Sequence, residues 1–317
     1  MNKKYDKVND ETYEKIVKIM KEMDYEPNFT AKSLSTGKSK LISVIIPVGS
    51  DYINVKENPF YFEFFLGVES IAAKKGYDII LSGMLKENGY RELIKKRGID
   101  GIIVVGKFDD FVYNELEEIG IPVISIDHYQ DIVKNSKNIC SDNYMGGVLA
   151  AEEFLINGHK KIGVISGPIH FSGICKERFE GFKNRLEQNN IKIDKENIII
   201  EEVSYSGGMI AGEEAIKKDV TGFFVSADIM AFGVMKILQK NKKNIPEDFS
   251  IIGFDDVMTS LFINPSLTTI KQEVLKKGEK AAEVVIDLIK RKNEKNENIK
   301  MEVTIVKRDS VRKIDDK

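Results

Sequence analysis

Short runs of Ile and Val recur along this chain, each followed by an amphipathic helical stretch, and that alternation restricts the fold more than any other feature. A strand that is apolar throughout is covered on both faces, and parallel pairing needs a crossover, usually a helix, to do the covering. Strands are expected at 41–48, 78–82, 101–106, 123–127, 161–167, 198–203, 222–227 and 249–254. Helices are expected near 60–75, 90–97, 111–119, 145–157, 176–190, 208–218 and 229–241. The alternation pauses around 129–142 and restarts. Two α/β lobes of about four strands each accommodate that pause better than one large sheet. A segment at 268–272, a helix over 274–291, the charged loop KNEKNENIK and a last strand over 302–307 complete the pattern.

Composition narrows the class. Hydrophobic residues make up 42% and charged residues 31% of 317, enough for a packed core and unlike a disordered chain. A formal net charge of -2 gives no global nucleic-acid signature, so any basic surface is local. Cys140 and Cys175 form no disulfide framework, which fits a reducing compartment. The polar start MNKKYDKVNDETYEK has no signal-peptide core, and no apolar run approaches the roughly 20 residues of a membrane span. The expectation is a soluble, cytoplasmic protein without membrane contact.

Residues 1–40 stand apart. Asn9 or Asp10 can cap a helix whose Tyr13, Ile16, Val17, Met20 and Met23 recur at helical spacing, with Pro27 beyond its end. That stripe calls for a partner surface, since a lone helix of this length is marginal in water. The following NFTAKSLSTGKSK carries three lysines and no acid. It fits a solvated linker, or a short helix that orders on DNA, with Lys32 reaching phosphates or the minor groove and Leu34 wedging between bases.

Open α/β sheets bind ligands beyond the carboxyl ends of their strands. Phe60 and Tyr61 of NPFY follow the first strand; they are core aromatics or stack on a sugar or purine ring. With no Trp in the chain, any stacking falls to Phe or Tyr. Arg178 follows the 161–167 strand, and its guanidinium fork suits hydroxyl pairs or a carboxylate. Asp255 and Asp256 end one strand, Asp228 follows another, and Asp142 sits where the chain crosses between lobes. Carboxylates converging with an Arg make a polyol-binding mouth; a glycosidase acid pair is the competing reading. His128, His159 and His170 lack metal-ligand spacing, and no P-loop or nucleophile elbow is present. No enzyme activity, metal or cofactor is implied.

Several strings together resemble the lactose-repressor (LacI/GalR) family of transcription regulators over nearly the whole chain. They are VNDETYEKIVKIMKEMDYEPNFTAKSLSTGKSKLISVIIP, NPFYFEFFLGVE, SDNYMGGVLAAEEFLINGHKKIGVISG, KERFEGF, SADIMAFGVMKIL, IPEDFSIIGFDD and NPSLTTIKQ. The resemblance implies a two-lobed periplasmic-binding-protein-like body that the chain crosses three times. The first lobe would be 41–141 plus 271–300, the second 142–270 plus 301–317, with 1–40 as a partial DNA-binding headpiece and hinge. It places Phe60, Tyr61, Asp142, Arg178, Asp228 and Asp255 at a small-molecule effector, most simply a sugar. It places Ala31, Lys32 and Leu34 on a hinge helix in the minor groove of operator DNA, with the protein acting as a homodimer. Against the family pattern, the chain begins near the end of the helix-turn-helix, the loop GSDYINVKE is longer and SGMLKENGY is shorter. The resulting expectation is a repressor of carbohydrate genes under allosteric sugar control. The alternatives are an effector sensor without sequence-specific DNA binding, or a plain solute-binding protein.

Overall fold

The computed structural model describes residues 9–25, 37–47, 57–83, 89–106, 108, 110–128, 137–170, 173–290 and 298–314. The hinge candidates Ala31, Lys32 and Leu34 lie outside them.

Helix α1 (Asp10–Glu22) is capped by Asn9, whose side chain accepts from the Thr12 amide at 2.9 Å, and it buries none of its residues. Two sheets follow, each with six strands among the described residues. The first holds β1 (Leu41–Ile45), β2 (Asp78–Ser82), β3 (Gly101–Val105), β4 (Val123–Ile126), β5 (Lys137–Ser141) and β11 (Ile299–Met301), in the order β11-β5-β4-β3-β1-β2. The second holds β6 (Ile162–Ser166), β7 (Ile198–Ile200), β8 (Gly222–Val225), β9 (Ser250–Asp255), β10 (Thr268–Gln272) and β12 (Val303–Val306), in the order β12-β10-β9-β8-β6-β7. The two orders are the same pattern written twice. All pairings are parallel except β10 with β12.

The expected four strands per lobe is an underestimate. β5 sits within the stretch read as a pause, because its KNICS alternates buried and half-buried residues instead of running apolar. β11 is three residues long and begins inside the charged stretch KNEKNENIK, which hid it. The crossing expected after Ile270 falls after Gln272, since Lys271 and Gln272 still pair with β12 of the second sheet.

In the first lobe, α2 (Pro59–Lys74) packs against α10 (Val274–Ile289) on one sheet face. On the other lie α3 (Gly89–Arg97) and α4 (Asp110–Ile119). In the second lobe, α5 (Asn143–Ile156) packs against α6 (Ile174–Gln188), and α7 (Tyr205–Ala215) against α8 (Asp228–Lys240), with the short α9 (Thr259–Phe262) beyond. The core of each sheet is sealed by these pairs: Ile42, Val44, Ile103 and Ile124 in one, Val164, Phe224, Ile252 and Phe254 in the other, all buried. Among the described residues no helix is long and apolar enough to cross a membrane.

Candidate functional site

The carboxyl ends of both sheets converge on a cavity of about 220 Å³. Its walls come from both lobes: Asn58, Phe60, Tyr61, Gly106 and Asp127 on one side, Cys175, Arg178, Ser226, Asp255 and Gln272 on the other.

Arg178 is delivered by close helix packing. A Cβ on Gly147 of α5 would collide with the Arg178 carbonyl, and one on Gly181 of α6 with the Tyr144 carbonyl. Only reciprocal glycines let the two helices approach so closely. The Arg178 side chain is 6% exposed. Its Nε donates to Asn143 Oδ1 at 2.8 Å and its Nη1 to the Ser226 carbonyl at 2.5 Å. The guanidinium carbon lies 3.4 Å from the centroid of the Phe254 ring, a cation–π contact in a desolvated setting. Nη2 stands 3.6 Å from Asp255 Oδ1, an ion pair too long for a hydrogen bond. Arg178 also lines the cavity.

Asp255 ends β9 with φ 124° and Asp127 follows β4 with φ 53°, both in the region that L-residues other than Asn and Asp rarely adopt. Strain of this kind is held only where surrounding structure fixes it. Here a polar chain does so. Gln272 Nε2 donates to Asp255 Oδ1 at 2.6 Å, while Gln272 Oε1 accepts from Lys277 Nζ and Ser141 Oγ, each at 2.8 Å. Lys277 Nζ also donates to Asp127 Oδ2 at 2.7 Å. Ser141 and Gln272 end the strands from which the chain crosses between lobes, so the network ties the crossings to the cavity floor.

Tyr61 lines the same cavity as the two acids. Burial, with Asp127 and then Asp255 nearby, pushes its phenol up to about 12, so it stays a hydrogen-bond donor. Its ring meets Phe60 edge-on at 5.4 Å, and Phe60 stacks on Phe64 at 6.2 Å. Across the mouth, the Tyr205 amide at the start of α7 donates to Glu57 Oε2 at 3.3 Å, a direct contact between lobes.

Of the residues singled out from sequence, Phe60, Tyr61, Arg178 and Asp255 are brought together in the cavity wall. Asp142 is not part of the wall. It caps α5, accepting from the Met145 amide at 3.0 Å, and pairs with Lys300 at 3.0 Å. Asp228 is fully buried behind Asp255, and its carboxylate accepts from the Val257 amide, Ser260 Oγ and Thr269 Oγ1. Burial first, then Asp255, raises its pKa to about 8. Asp255 is itself raised to about 6 by burial, against the pull of Arg178. His159 is consumed structurally, by Thr221 Oγ1 at 2.7 Å and the Arg312 carbonyl at 3.0 Å; His170 is exposed and outside the wall.

Asp127, Gln272 and Lys277 were missed. Asp127 closes VISID as Asp255 closes SIIGFD, a repeat visible in the sequence once the strands are paired off. Lys277 looks like part of a solvated KKGEK run, yet it falls on the stripe Val274, Gly278, Ala281, Ala282 and Val285, all buried. Among the described residues no three metal-ligating side chains cluster.

Two lobes of one topology, closing on a cavity whose wall mixes aromatic and aliphatic side chains with buried charges, form a periplasmic-binding-protein-like body, and a periplasmic binding protein-like domain model matches residues 151–311. The chain is 31% identical over 319 residues to the HTH-type transcriptional repressor PurR of Vibrio vulnificus, spanning 97% of this chain and 92% of that protein. It is 31% identical over 294 residues to the ribose operon repressor of Halalkalibacterium halodurans, spanning 90% and 83%. A LacI family transcriptional regulator from Enterococcus faecium, solved with bound ribose, superposes with a TM-score of 0.76 at 29% identity, covering 87% of this chain and 100% of that one. The chain belongs to the lactose-repressor (LacI/GalR) family of transcriptional regulators.

Proposed function

We propose that this protein is a DNA-binding repressor of carbohydrate genes whose grip on its operator is set by a small sugar held between the lobes. The cavity carries this reading. At about 220 Å³ it is smaller than the roughly 300–1,000 Å³ of sites for drug-sized ligands, and matches about seven water volumes of ~30 Å³. That is room for one sugar ring. Phe60 and Tyr61 offer an apolar wall for its C–H face, while Arg178, Asp127, Asp255 and Gln272 offer donors and acceptors for its hydroxyls.

A sugar that touches both lobes favours one inter-lobe angle, and only that differential contact can shift the equilibrium. Residues 1–40 would carry the consequence to DNA, with Ala31, Lys32 and Leu34 on the hinge. Two copies would pair through a face that both lobes share. Phe62 and Leu66 on α2 are 69% and 42% exposed, and Met258, Leu261 and Phe262 at α9 are 74%, 58% and 71% exposed. A groove of about 750 Å³ beside α8 and α9 is lined by Pro59, Phe232, Met235, Thr259 and Ile263 among others. Apolar exposure on that scale marks an association surface, and a cytoplasmic homodimer is the form proposed.

The test is a thermal-shift screen of mono- and disaccharides and purines, followed by gel shifts on DNA upstream of the neighbouring genes with and without the stabilising compound. A ligand raises the melting temperature by mass action. A monosaccharide that stabilises the protein and alters its DNA retardation is the expected outcome. Sugar binding without retardation of any fragment would leave a sensor that does not itself read DNA, and stabilisation by purines alone would replace the sugar.

A further inference from the structure

Behind the wall lies a charge that a sugar site does not need for hydrogen bonding. Lys277 is fully buried, and its ammonium lies one layer behind the cavity, touching two wall residues, Asp127 and Gln272, and lying 5.6 Å from the ring of a third, Phe60. A lysine stem is flexible and its charge strongly hydrated, so holding it dry is costly unless the charge is matched. The match is Asp127, at 2.7 Å, with the two side chains 0% and 6% exposed. The opposite lobe repeats the arrangement with Arg178 and Asp255, each 6% exposed.

Resting on the sugar reading above, we propose that Lys277 is a specificity-determining positioning residue: it balances the charge of the cavity wall, so that the site selects an uncharged sugar over its anionic and cationic relatives. Two cations then face two carboxylates, one pair from each lobe, and the wall offers no net charge to a ligand. Other nearby charges do not upset the balance. Lys300 with Asp142 and Arg308 with Asp256 are paired among themselves away from the wall. Asp228, behind Asp255, is raised to about 8 by burial and by that neighbour, and so contributes little negative charge near neutrality. A phosphate or carboxylate entering this site would meet Asp127 and Asp255 without a surplus cation, and an ammonium would meet Arg178 and Lys277 without a surplus acid. Among side chains this buried, either mismatch is poorly compensated. Removing one cation or one acid should therefore change which charge the site accepts, and not only how tightly it binds.

The experiment is calorimetric titration of the full chain with D-ribose, D-glucose and D-galactose, each beside an anionic relative (ribose 5-phosphate, glucuronate, galacturonate) and its 2-amino relative. The wild type is expected to bind one neutral sugar at least tenfold tighter than either charged relative. In Lys277→Met the amino sugar should gain at least tenfold relative to the anionic one. In Asp127→Asn the gain should go to the anionic sugar, and the double variant Asp127→Asn/Lys277→Met should return to the neutral order. Should Lys277→Met fail to fold by circular dichroism, Asp127→Asn and the double variant carry the same comparison. An unchanged order of preference in the folded variants would reduce Lys277 to a structural prop and overturn the proposal. A wild type that prefers a charged relative overturns it too, while leaving the sugar site standing. No binding of any sugar by the wild type would sink the sugar reading itself, and this inference with it.

Discussion

The two lobes carry the same strand order, and each ends its fourth strand on an aspartate with positive φ, Asp127 in the first and Asp255 in the second. What differs is the cation. The second lobe reaches its aspartate with an arginine on the helix after its first strand; the first uses a lysine on the helix that follows the crossing strand β10. Arg178 is planar, stacked on Phe254 and lines the cavity, so in the proposed reading it serves the ligand and the lobe together. Lys277 spends two of its three donors on Asp127 and Gln272, so it acts through them. A duplicated topology fixes where an acid must sit, and the choice of cation decides whether the partner touches the ligand or holds what touches it.

The largest break in this comparison comes from Arg178→Ala. It strands Asp255 as a buried charge and is expected to cost about 3–5 kcal/mol of stability, with sugar affinity down at least a hundredfold; urea unfolding and calorimetry measure the two. Persistence of tight binding would remove Arg178 from the site. Lys277→Met is expected to reduce stability by a similar ~3–5 kcal/mol for the same reason, but with a smaller loss of affinity than Arg178→Ala, because no direct contact is deleted. Equal losses of affinity in the two variants would erase the distinction between the lobes.

Next come the helix pairs that carry these residues. Gly147→Ala and Gly67→Ala each place a methyl against backbone, of α6 and α10 respectively. Both should lose about 1–3 kcal/mol of stability by overpacking. Only Gly147→Ala displaces the Arg178 backbone directly, so it should weaken sugar binding more; the reverse order would contradict the placement.

A pH effect separates the lobes as well. Asp228 and Asp255 are both raised in the folded second lobe, to about 8 and about 6, chiefly by burial. The folded state therefore holds protons that the unfolded chain releases above its ordinary carboxylate range. Stability from this source is full at pH below about 4 and declines as pH rises toward 8. Asp228→Asn should flatten that decline between pH 5 and 8, as measured by urea midpoints; an unaltered slope would reject the assignment. The smallest effect is expected from Lys300→Ala. It removes a half-exposed partner of Asp142, worth less than about 1 kcal/mol, and should leave sugar affinity unchanged because neither residue lines the cavity.

Much of this was written in the chain. The Ile/Val runs required parallel sheets, Asn9 could be named as a cap of the first helix, and Phe60, Tyr61, Arg178 and Asp255 could be placed at or just beyond strand ends from pattern alone. Sequence position could not separate Asp255 from Asp228 and Asp142, because all three sit at a strand end or helix start. Whether an acid faces the cavity, caps a helix or feeds a buried network depends on which side of the backbone it leaves and what waits there. Likewise β5 was hidden because most of its side chains are polar, and one of those polar residues, Ser141, joins the network at the inter-lobe crossings.

The amino-acid order by itself determined the two-lobed parallel architecture, since alternating strand and helix periods leave few ways to bury apolar surface on both faces of a sheet. Only the tertiary structure decided the cavity's charge. Lys277 and Asp127 lie 150 residues apart, and local pattern carries no information about which distant charge will meet a buried lysine. That pairing exists because the helix after the last crossing strand packs back onto the first sheet and brings Lys277 to the end of β4, where both charges are buried and matched.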